Sequence, residues 1–350
     1  MRRITHKMKK ITTWIIICTL GISSLTVQAS ELQPLKLESA IASAKTYSTT
    51  LSQILRQQEL NGAKQTAATI EGSYKNYQKQ YLNNQYTDKQ EEIEKNVIAY
   101  DVAKLFDEIL LNEVKLKDTE NSLKMDKLSL ENAKIKLKSG LISQKILDDS
   151  ALAYETKENN RLESIETINS QYTELCKMMG KSTTHYTLQK DPIVYEPFEI
   201  IGNLDGVISS KAVQNLSVWK AIETAKIEEE IDYEALEKAG NSYTTYLELQ
   251  ETSAKAQDTS ETTQQQFEST LRSKYTELLQ IQEKYKIQEK GLQLLEKQLQ
   301  TKEKQYEAGY VSKTAYETSK LSCEQAKTAL LAIVVQQEYI KQVVENPYLL

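Results

Sequence analysis

The side chains that most often carry out chemistry are few in this sequence and do not cluster. Histidine occurs only at His6 and His185, and the three cysteines are Cys18, Cys176 and Cys323. A metal centre or a nucleophile–base pair needs such residues at short, matched spacings, and none is present. The chain also lacks a glycine-rich phosphate loop. The sequence therefore predicts no catalytic residue, no metal site and no bound cofactor, and we do not expect an enzyme.

Two acidic runs and a group of tyrosines remain as candidates for binding. The runs Gln90–Glu92 and Glu228–Glu230 are interpreted as solvated helix faces rather than metal ligands. The tyrosines include Tyr74, Tyr77, Tyr81 and Tyr86. They could stack against sugar rings, although packing between helices is the favoured interpretation.

Residues 1–29 predict a secretory signal of the Sec type. Five basic residues lead into an apolar run from Ile11 to Ile22, and Val27-Gln28-Ala29 offers a cleavage site before Ser30. The run is short for a membrane span, and an uncleaved N-terminal anchor stays open as an alternative. Cys18 follows Ile17 instead of a small residue, so we expect no lipid anchor there.

The exported chain is strongly acidic. Removal of the signal takes five of the 44 basic residues and none of the 49 acidic ones, leaving 39 against 49 and a net charge of −10. An acidic surface without a stripe of clustered lysines and arginines argues against nucleic acid as a partner. It also argues against docking on anionic lipid heads.

One motif closes a helix twice, at Lys136–Ser143 and again at Gln305–Ser312, at an offset of 169 in the numbering. Phe106–Leu110 falls on Tyr275–Leu279 at the same offset. A third match relates an Ala-Ile-x-x-Ala-Lys segment beginning at residue 40 to one beginning at residue 221, an offset of 181. The sequence therefore predicts a duplicated long-helix unit.

Proline and glycine delimit the helices of this unit. The stretches 35–191 and 198–346 contain no proline, which suits long helices. The predicted helices span about 36–80, 89–139 and 144–180 in the first copy, and about 212–256, 261–308 and 313–345 in the second. The predicted organisation is a signal at 1–29, repeat 1 at 30–180, a connector at 181–211 and repeat 2 at 212–350. Ile193–Tyr195 and Phe198–Ile201 in the connector are interpreted as short strands or extended packing segments.

Capping residues support these boundaries. Asp88 with Glu91 is typical of a helix start. Gly140 fits a left-handed helix end, and Ser143 is expected to cap the returning helix. The two cysteines of the exported chain lie at different depths, 36 and 14 positions beyond their matched glycines. If the copies stand side by side, that difference of roughly 33 Å prevents a disulfide.

Apolar stripes at helical spacing predict all-α packing of coiled-coil hairpins with little or no β structure. The helix after the second turn carries Tyr316, Ser319, Cys323, Ala326, Leu330, Ile333, Gln337, Ile340 and Val344. The helix before the first turn carries one seam of Leu116, Leu123, Leu130 and Leu137 and another of Met125, Leu128 and Ile135. A helix with two seams contacts neighbours on both flanks, as in a bundle or a curved helical wall.

The two turns are the candidate interaction site. They consist of Gly140, Leu141, Ile142 and Ser143 in the first copy and Gly309, Tyr310, Val311 and Ser312 in the second. Helix termination explains the glycines, whereas apolar residues at a solvent-facing turn indicate a covering partner.

The order of these elements resembles the TolC family of outer-membrane efflux proteins, over roughly residues 35–346. Tyr306–Ser312 is close to the Tyr-Glu-Ala-Gly-x-x-Ser that such proteins carry at a hairpin tip, and Gly180 closes the first returning helix as in that family. The resemblance implies a homotrimer whose hairpins build a hollow cylinder. Its tips would dock an adaptor of the membrane-fusion type, itself bound to an inner-membrane transporter, in a passive export conduit.

Two departures accompany the resemblance. The Asp-Val-Leu-like step that the family carries after the tip glycine is replaced by Ile146-Leu147-Asp148 and Ala315-Tyr316-Glu317. The family also inserts a β-hairpin between the first two helices of each copy to form a membrane barrel. The stretches 81–88 and 257–264 do not alternate as lipid-facing strands do and are interpreted as polar turns.

Location and role therefore stay open between alternatives. The resemblance implies the outer membrane, whereas the missing hairpins suggest the cell surface of a Gram-positive bacterium. An efflux or secretion component is the leading interpretation, and a structural scaffold or spacer of the cell envelope is the alternative. A membrane-fusion adaptor is a third interpretation, but it would need β-rich flanking segments.

Overall fold

The computed structural model describes residues 32–71 and 74–350, so the predicted signal at 1–29 lies outside the described residues. The first copy comprises β1 (Pro34–Lys36), α1 (Leu37–Tyr47), α2 (Thr49–Glu71), α3 (Tyr74–Lys138), α4 (Gln144–Met178) and β2 (Thr187–Gln189). The second comprises α5 (Leu204–Ala212), α6 (Leu216–Glu229), α7 (Tyr233–Lys238), α8 (Tyr243–Glu307) and α9 (Lys313–Glu345). A 3-10 turn, Pro347–Leu349, follows α9. The all-α fold class is confirmed.

The boundaries of the long helices recur at the offset that the predicted duplication requires. Helices α3 and α8 each contain 65 residues, and their starts and ends are both related by the offset of 169. The starts of α4 and α9 are related by the same offset. At 1.5 Å per residue, α3 and α8 are rods of roughly 100 Å. The offset read from the glycine motif therefore relates equivalent helices, while the predicted domain boundaries stay a prediction.

The predicted polar turns at 81–88 and 257–264 are wrong, because both stretches lie inside α3 and α8. Asp88 is accordingly not a helix cap; its carboxylate accepts a hydrogen bond from Gln58 Nε2 at 3.1 Å. Asn61 of α2 likewise donates to Thr87 Oγ1 of α3 at 3.4 Å. In the first of these two segments, interhelical hydrogen bonds to α2 hold residues 81–88 in place.

The third sequence match does not relate equivalent helices. Residues 40–45 lie on α1, whereas residues 221–226 lie on α6. The counterpart of α1 is α5, which the sequence assigned to the connector. Ala40 and Ala44 of α1 pack into the core of the first copy, and Ile208 of α5 packs into the core of the second. Short alanine motifs recur on helices that are not equivalent in the two copies, so the match at offset 181 wrongly indicated that α6 opens the second copy.

Each copy has its own core where its long hairpin begins. The first contains Phe106, Ile109, Tyr172 and Leu175 among its buried residues. The second contains Leu271, Tyr275, Leu278, Ile281 and Val344. The connector covers both: β2 pairs in parallel with β1, and residues 190–203 form neither helix nor strand. Phe198 and Ile200 of that irregular segment pack against the second core.

Contacts between helices arrange the hairpins as a single layer. Helix α3 packs against α4 and against α9, and α9 packs against α8, which gives the order α4–α3–α9–α8. Away from the hairpin tips, α2 packs on α3 and α6 packs on both α3 and α8. Helices α4 and α8 are therefore the two open edges of the layer. Helix α3 thus has neighbours on both flanks, as its two seams predict for a bundle or a curved helical wall.

Candidate interaction site at the hairpin tips

Both matched turns end a helix in the left-handed conformation. We refer to Gly140–Ser143 as tip 1 and to Gly309–Ser312 as tip 2. Gly140 has φ +67 and Gly309 has φ +78. The N–H of Leu141 donates to the carbonyl of Lys136 at 2.8 Å, and Tyr310 donates to Gln305 at 2.8 Å. These bonds close a Schellman motif at each tip, as the glycine pattern predicted.

The serines of the two tips behave differently. Ser312 accepts a hydrogen bond on Oγ from the N–H of Ala315 at 3.2 Å, which is a side-chain N-cap. Ser143 has the extended backbone of an N-cap residue, but its side chain makes no capping bond. The N–H of Ile146 instead donates to the backbone carbonyl of Ser143 at 3.1 Å. The predicted side-chain cap is therefore present at tip 2 and wrong at tip 1.

The apolar tip residues divide into an exposed pair and a half-buried pair. Leu141 is 72 % exposed and Tyr310 is 84 % exposed. Ile142 and Val311 are half-buried. Each tip therefore presents one large apolar side chain to solvent, and a partner that covers it stays a prediction.

Tip 2 is supported by aromatic packing. The rings of Tyr306 and Tyr316 stack across the hairpin with centroids 5.3 Å apart. The hydroxyl of Tyr316 donates to a carboxylate oxygen of Glu303 at 3.4 Å. Desolvation and the nearby Glu303 charge raise the pKa of Tyr316 above its ordinary value. This stack fixes the base from which Tyr310 projects.

The register between α3 and α9 places both tips at one end of the molecule. Thr328 of α9 donates to Asp118 of α3 at 2.6 Å, and eleven positions further down, the hydroxyl of Tyr339 donates to Asp107. The two helices are therefore antiparallel and in step. Gly140 lies 22 positions beyond Asp118, and Gly309 lies 19 positions before Thr328. A difference of three positions leaves the tips level to about 5 Å.

Exposed aliphatic side chains also line the layer below the tips. The predicted second seam of α3 is open to solvent at Leu128 and Ile135, which are exposed. On the edge helices, α4 exposes Leu152 and Leu162, and α8 exposes Ile287 and Leu294. By contrast, the predicted seam of α9 is buried or half-buried along its length. The unfilled apolar positions thus include both open edges of the layer.

Sequence reasoning missed two polar clusters that join separate elements. Asp107 is buried and accepts from Tyr339 of α9 and from Lys190 of the connector. Glu228 of α6, expected on a solvated face, pairs with Lys75 at 3.0 Å and Lys79 at 2.6 Å. Both lysines belong to α3 in the other copy of the repeat, so no local pattern could indicate them.

Other residues that the sequence analysis considered for chemistry or binding lie in packing environments. His185 is exposed and stacks on the ring of Tyr172, with centroids 4.3 Å apart. Cys176 and Cys323 are both buried and unpaired, as the depth argument predicted. Lys220 lies 4.0 Å above the ring of Tyr86, which places this tyrosine in helix packing.

Across residues 32–71 and 74–350, no cluster of three or more histidine, cysteine or acidic side chains could hold a metal ion. In the same part of the chain, no helix combines the length and the apolar character that a membrane crossing requires.

Solved structures share this fold over nearly the whole chain. CusC is 11 % identical with a TM-score of 0.64, covering 89 % of this chain and 91 % of CusC. A membrane protein from Pseudomonas aeruginosa is 9 % identical with a TM-score of 0.65, covering 91 % and 90 %. The outer membrane protein VceC from Vibrio cholerae is 11 % identical with a TM-score of 0.58, covering 88 % and 95 %.

These neighbours include TolC-family outer-membrane channels, so the fold that the sequence resemblance implied is confirmed. No protein-family profile and no curated protein sequence matches the chain. The shared feature is therefore the arrangement of helices, and the identities of about one residue in ten carry no further detail.

Proposed function

We propose that this protein is an exported conduit component of an efflux or secretion system, without catalysis of its own. Three copies would close their helical layers into a hollow wall, and the tips would dock an adaptor of the membrane-fusion type that is bound to an inner-membrane transporter. The main support is the channel fold shared over about 90 % of both this chain and its neighbours.

The open edges of the layer support ring formation. Helix α4 exposes Leu152 and Leu162 at one edge, and α8 exposes Ile287 and Leu294 at the other. Since the two edges belong to different helices, pairing them joins copies head to tail, and such an interface closes into a ring when the rotation allows it. Closure would bury aliphatic surface that one protomer leaves in water.

The level tips support docking at one end. Leu141 and Tyr310 are exposed at the same height, so a ring of copies would present six apolar tips on one rim, given the three copies that the resemblance implies. A partner with matching apolar recesses could contact all of them at once. This arrangement supports the eight tip residues, from Gly140 to Ser143 and from Gly309 to Ser312, as the adaptor-binding site.

The proposed location is outside the cytoplasm in the cell envelope, reached through the signal at 1–29. The neighbours include outer-membrane channels, which supports an outer-membrane setting. They lend no support to the Gram-positive alternative.

The deciding experiment is the absolute mass of residues 30–350 by light scattering coupled to size exclusion. We expect a trimer, which should dissociate in a Leu162→Asp variant because the substitution places a charge on an edge. A Leu128→Asp variant is the matched control, since Leu128 lies on α3 away from both edges. A protein that stays monomeric at every concentration would contradict self-assembly and favour the envelope scaffold.

A further inference from the structure

A groove lined by tyrosine rings lies between α3 and α6. On the α3 side it contains Tyr74, Tyr77, Gln78, Tyr81 and Gln85, and on the α6 side it contains Glu223. Its volume is about 370 Å³, which is within the range of small-molecule sites. The helix continues for roughly 80 Å from Gln85 to the tip, so this tyrosine groove is separate from tip 1.

Contacts at both ends of the tyrosine groove hold the two helices in place. At one end, Lys75 and Lys79 of α3 pair with Glu228 of α6 at 3.0 and 2.6 Å. At the other end, Lys220 of α6 lies 4.0 Å above the ring of Tyr86 of α3. Most of the lining lies between these contacts on both helices, so the shape of the groove is set before a ligand arrives. A preformed site loses less free energy on binding than one that must be ordered.

The rings of the groove are open to a ligand. Tyr74 is 68 % exposed and Tyr81 is 48 % exposed. The rings of Tyr77 and Tyr81 are nearly parallel, at 14° with centroids 6.4 Å apart. Part of this arrangement is duplicated, since Tyr243 and Tyr246 of α8 correspond to Tyr74 and Tyr77 at the offset of 169. The second copy therefore supplies tyrosines at matched positions for comparison.

The amide side chains of the groove have unused hydrogen-bonding groups. Gln78 donates from Nε2 to Glu230 at 3.3 Å, whereas its Oε1 is buried and accepts no hydrogen bond within the described part of the chain. The side chain of Gln85 likewise has no hydrogen-bond partner among the residues that the structure describes. A buried acceptor without a partner costs free energy, which a donor on a ligand would recover. The equivalent positions of α8 are Leu247 and Ala254, so these amides belong to the first copy alone.

The charges around the groove favour a neutral ligand. Glu223 is the only charged residue of the described lining, and Lys226 pairs with it at 2.8 Å. Glu229 and Glu230, at the end of α6, are exposed and would repel an anion. Flat apolar rings beside free amides match a sugar, because a sugar ring has an apolar C–H face and its hydroxyl groups both donate and accept.

We propose that the tyrosine groove binds a neutral glycan, with sugar rings against Tyr74 and Tyr81 and hydroxyl groups bonded to Gln78 and Gln85. The inference rests on the proposed function only in that an exported chain meets the glycans of the cell envelope. It does not depend on the trimer or on the adaptor. Binding there would hold the protein at a place far from its tips.

The test is isothermal titration calorimetry of residues 30–350 with neutral tetramers of N-acetylglucosamine or of glucose. We expect a tetramer to bind, and we expect the cation benzyltrimethylammonium not to bind at the same concentration. Tyr74→Ala should weaken binding about fivefold or more, because a stacking surface is lost. The matched control is Tyr243→Ala, which removes an equally exposed tyrosine from the second copy and should leave the affinity unchanged.

A second substitution separates a glycan from an apolar ligand. Gln85→Leu keeps the size of the side chain and removes its amide, so it should weaken glycan binding roughly fivefold. An apolar ligand would bind this variant as tightly as the original protein or more tightly. Tyr74 is exposed and Gln85 is half-buried, so the helical circular dichroism of both variants should match that of the original protein. Sedimentation with isolated cell-wall polymer then distinguishes a wall glycan from a soluble sugar.

The proposal would be overturned if neither tetramer bound, if only the cation bound, or if Tyr74→Ala and Tyr243→Ala had the same effect. Undiminished binding by Gln85→Leu would also overturn it. If no glycan binds and the protein is a trimer, the proposed function stands without this site. If a glycan binds to a monomer through Tyr74 and Gln85, the glycan site stands and the self-assembled conduit does not.

Discussion

Replacing the tip glycine by alanine isolates the backbone energy of a hairpin end. Gly309 has φ +78, and nothing lies within 4 Å of the position that a Cβ would occupy. Steric clash with neighbours is therefore absent, and only the left-handed conformation of an L residue remains, at about 1–2 kcal/mol. The smaller conformational entropy of alanine in the unfolded chain offsets roughly 0.5 kcal/mol. The expected net cost of Gly309→Ala is about 1 kcal/mol.

The chain offers a control of opposite sign on the same helix. Gly291 lies inside α8, again with nothing within 4 Å of the place that an added methyl group would take. Alanine there should stabilise the helix by about 1 kcal/mol, because glycine is the poorer helix former. Gly140→Ala provides a replicate at tip 1, where φ is +67 and the space is also open.

Amide hydrogen exchange is the suitable assay, because hairpin ends open locally. The informative amide is the N–H of Tyr310, which donates to the carbonyl of Gln305. A cost of about 1 kcal/mol should accelerate its exchange roughly fivefold in Gly309→Ala. Amides around residue 291 should slow in Gly291→Ala. The reasoning would be refuted if Gly309→Ala and Gly291→Ala changed the local exchange rates in the same direction, or if the exchange of the Tyr310 amide did not change.

Three further experiments, each with its control substitution, test particular contacts. Ser312→Ala should cost about 1 kcal/mol in the local stability of α9, whereas Ser143→Ala should cost α4 close to nothing, because only Ser312 caps its helix with its side chain. The two costs can be compared through the amide hydrogen exchange rates of residues 313–316 and 144–147. Gly180→Ala should lower the free energy of unfolding in urea more than Gly309→Ala does, because its Cβ would lie 2.3 Å from the Tyr47 ring. In a Tyr47→Ala background this excess cost should disappear. If the costs of Gly180→Ala and Tyr47→Ala were simply additive, the predicted clash would be contradicted. Burial alone would raise the pKa of Glu228, but hydrogen bonds from Lys79 and Lys75 outweigh burial and lower the pKa. The ionised Glu228 therefore stabilises the fold at pH values above the ordinary glutamate pKa. This stabilisation is lost as the pH falls through the lowered pKa. Glu228→Gln should cost on the order of 2 kcal/mol at neutral pH and flatten that acid-side loss, while Glu229→Gln, an exposed neighbour, should leave the stability curve unchanged.

Much of the fold followed from spacing alone. The offset of 169 between the two glycine motifs reappeared as two helices of 65 residues with matching ends. The helix ends at Gly140 and Gly309 could be predicted because no other residue enters the left-handed conformation as easily as glycine. The stripe through Cys323 and Val344 was readable because a helix repeats every 3.6 residues.

Polar helix segments were harder to read. Residues 81–88 and 257–264 lack an apolar stripe, which led to the wrong prediction of turns. The sequence signal that stands before α8 is Gly240-Asn241-Ser242, since glycine next to asparagine marks turns. In the structure, Gly240 and Asn241 both have positive φ. The polar composition of residues 81–88 and 257–264 received more weight in the prediction than this short turn signal.

By itself, the sequence determined the all-helical class, the offset of 169 between the long helices, the two glycine tips and the unpaired cysteines, because each depends on local conformation or on distance along a helix. Only the tertiary structure decided the order α4–α3–α9–α8, the level of the two tips, and the clusters at Asp107 and Glu228. These features depend on which helices of the two copies become neighbours, and that choice is made by burial and pairing in three dimensions.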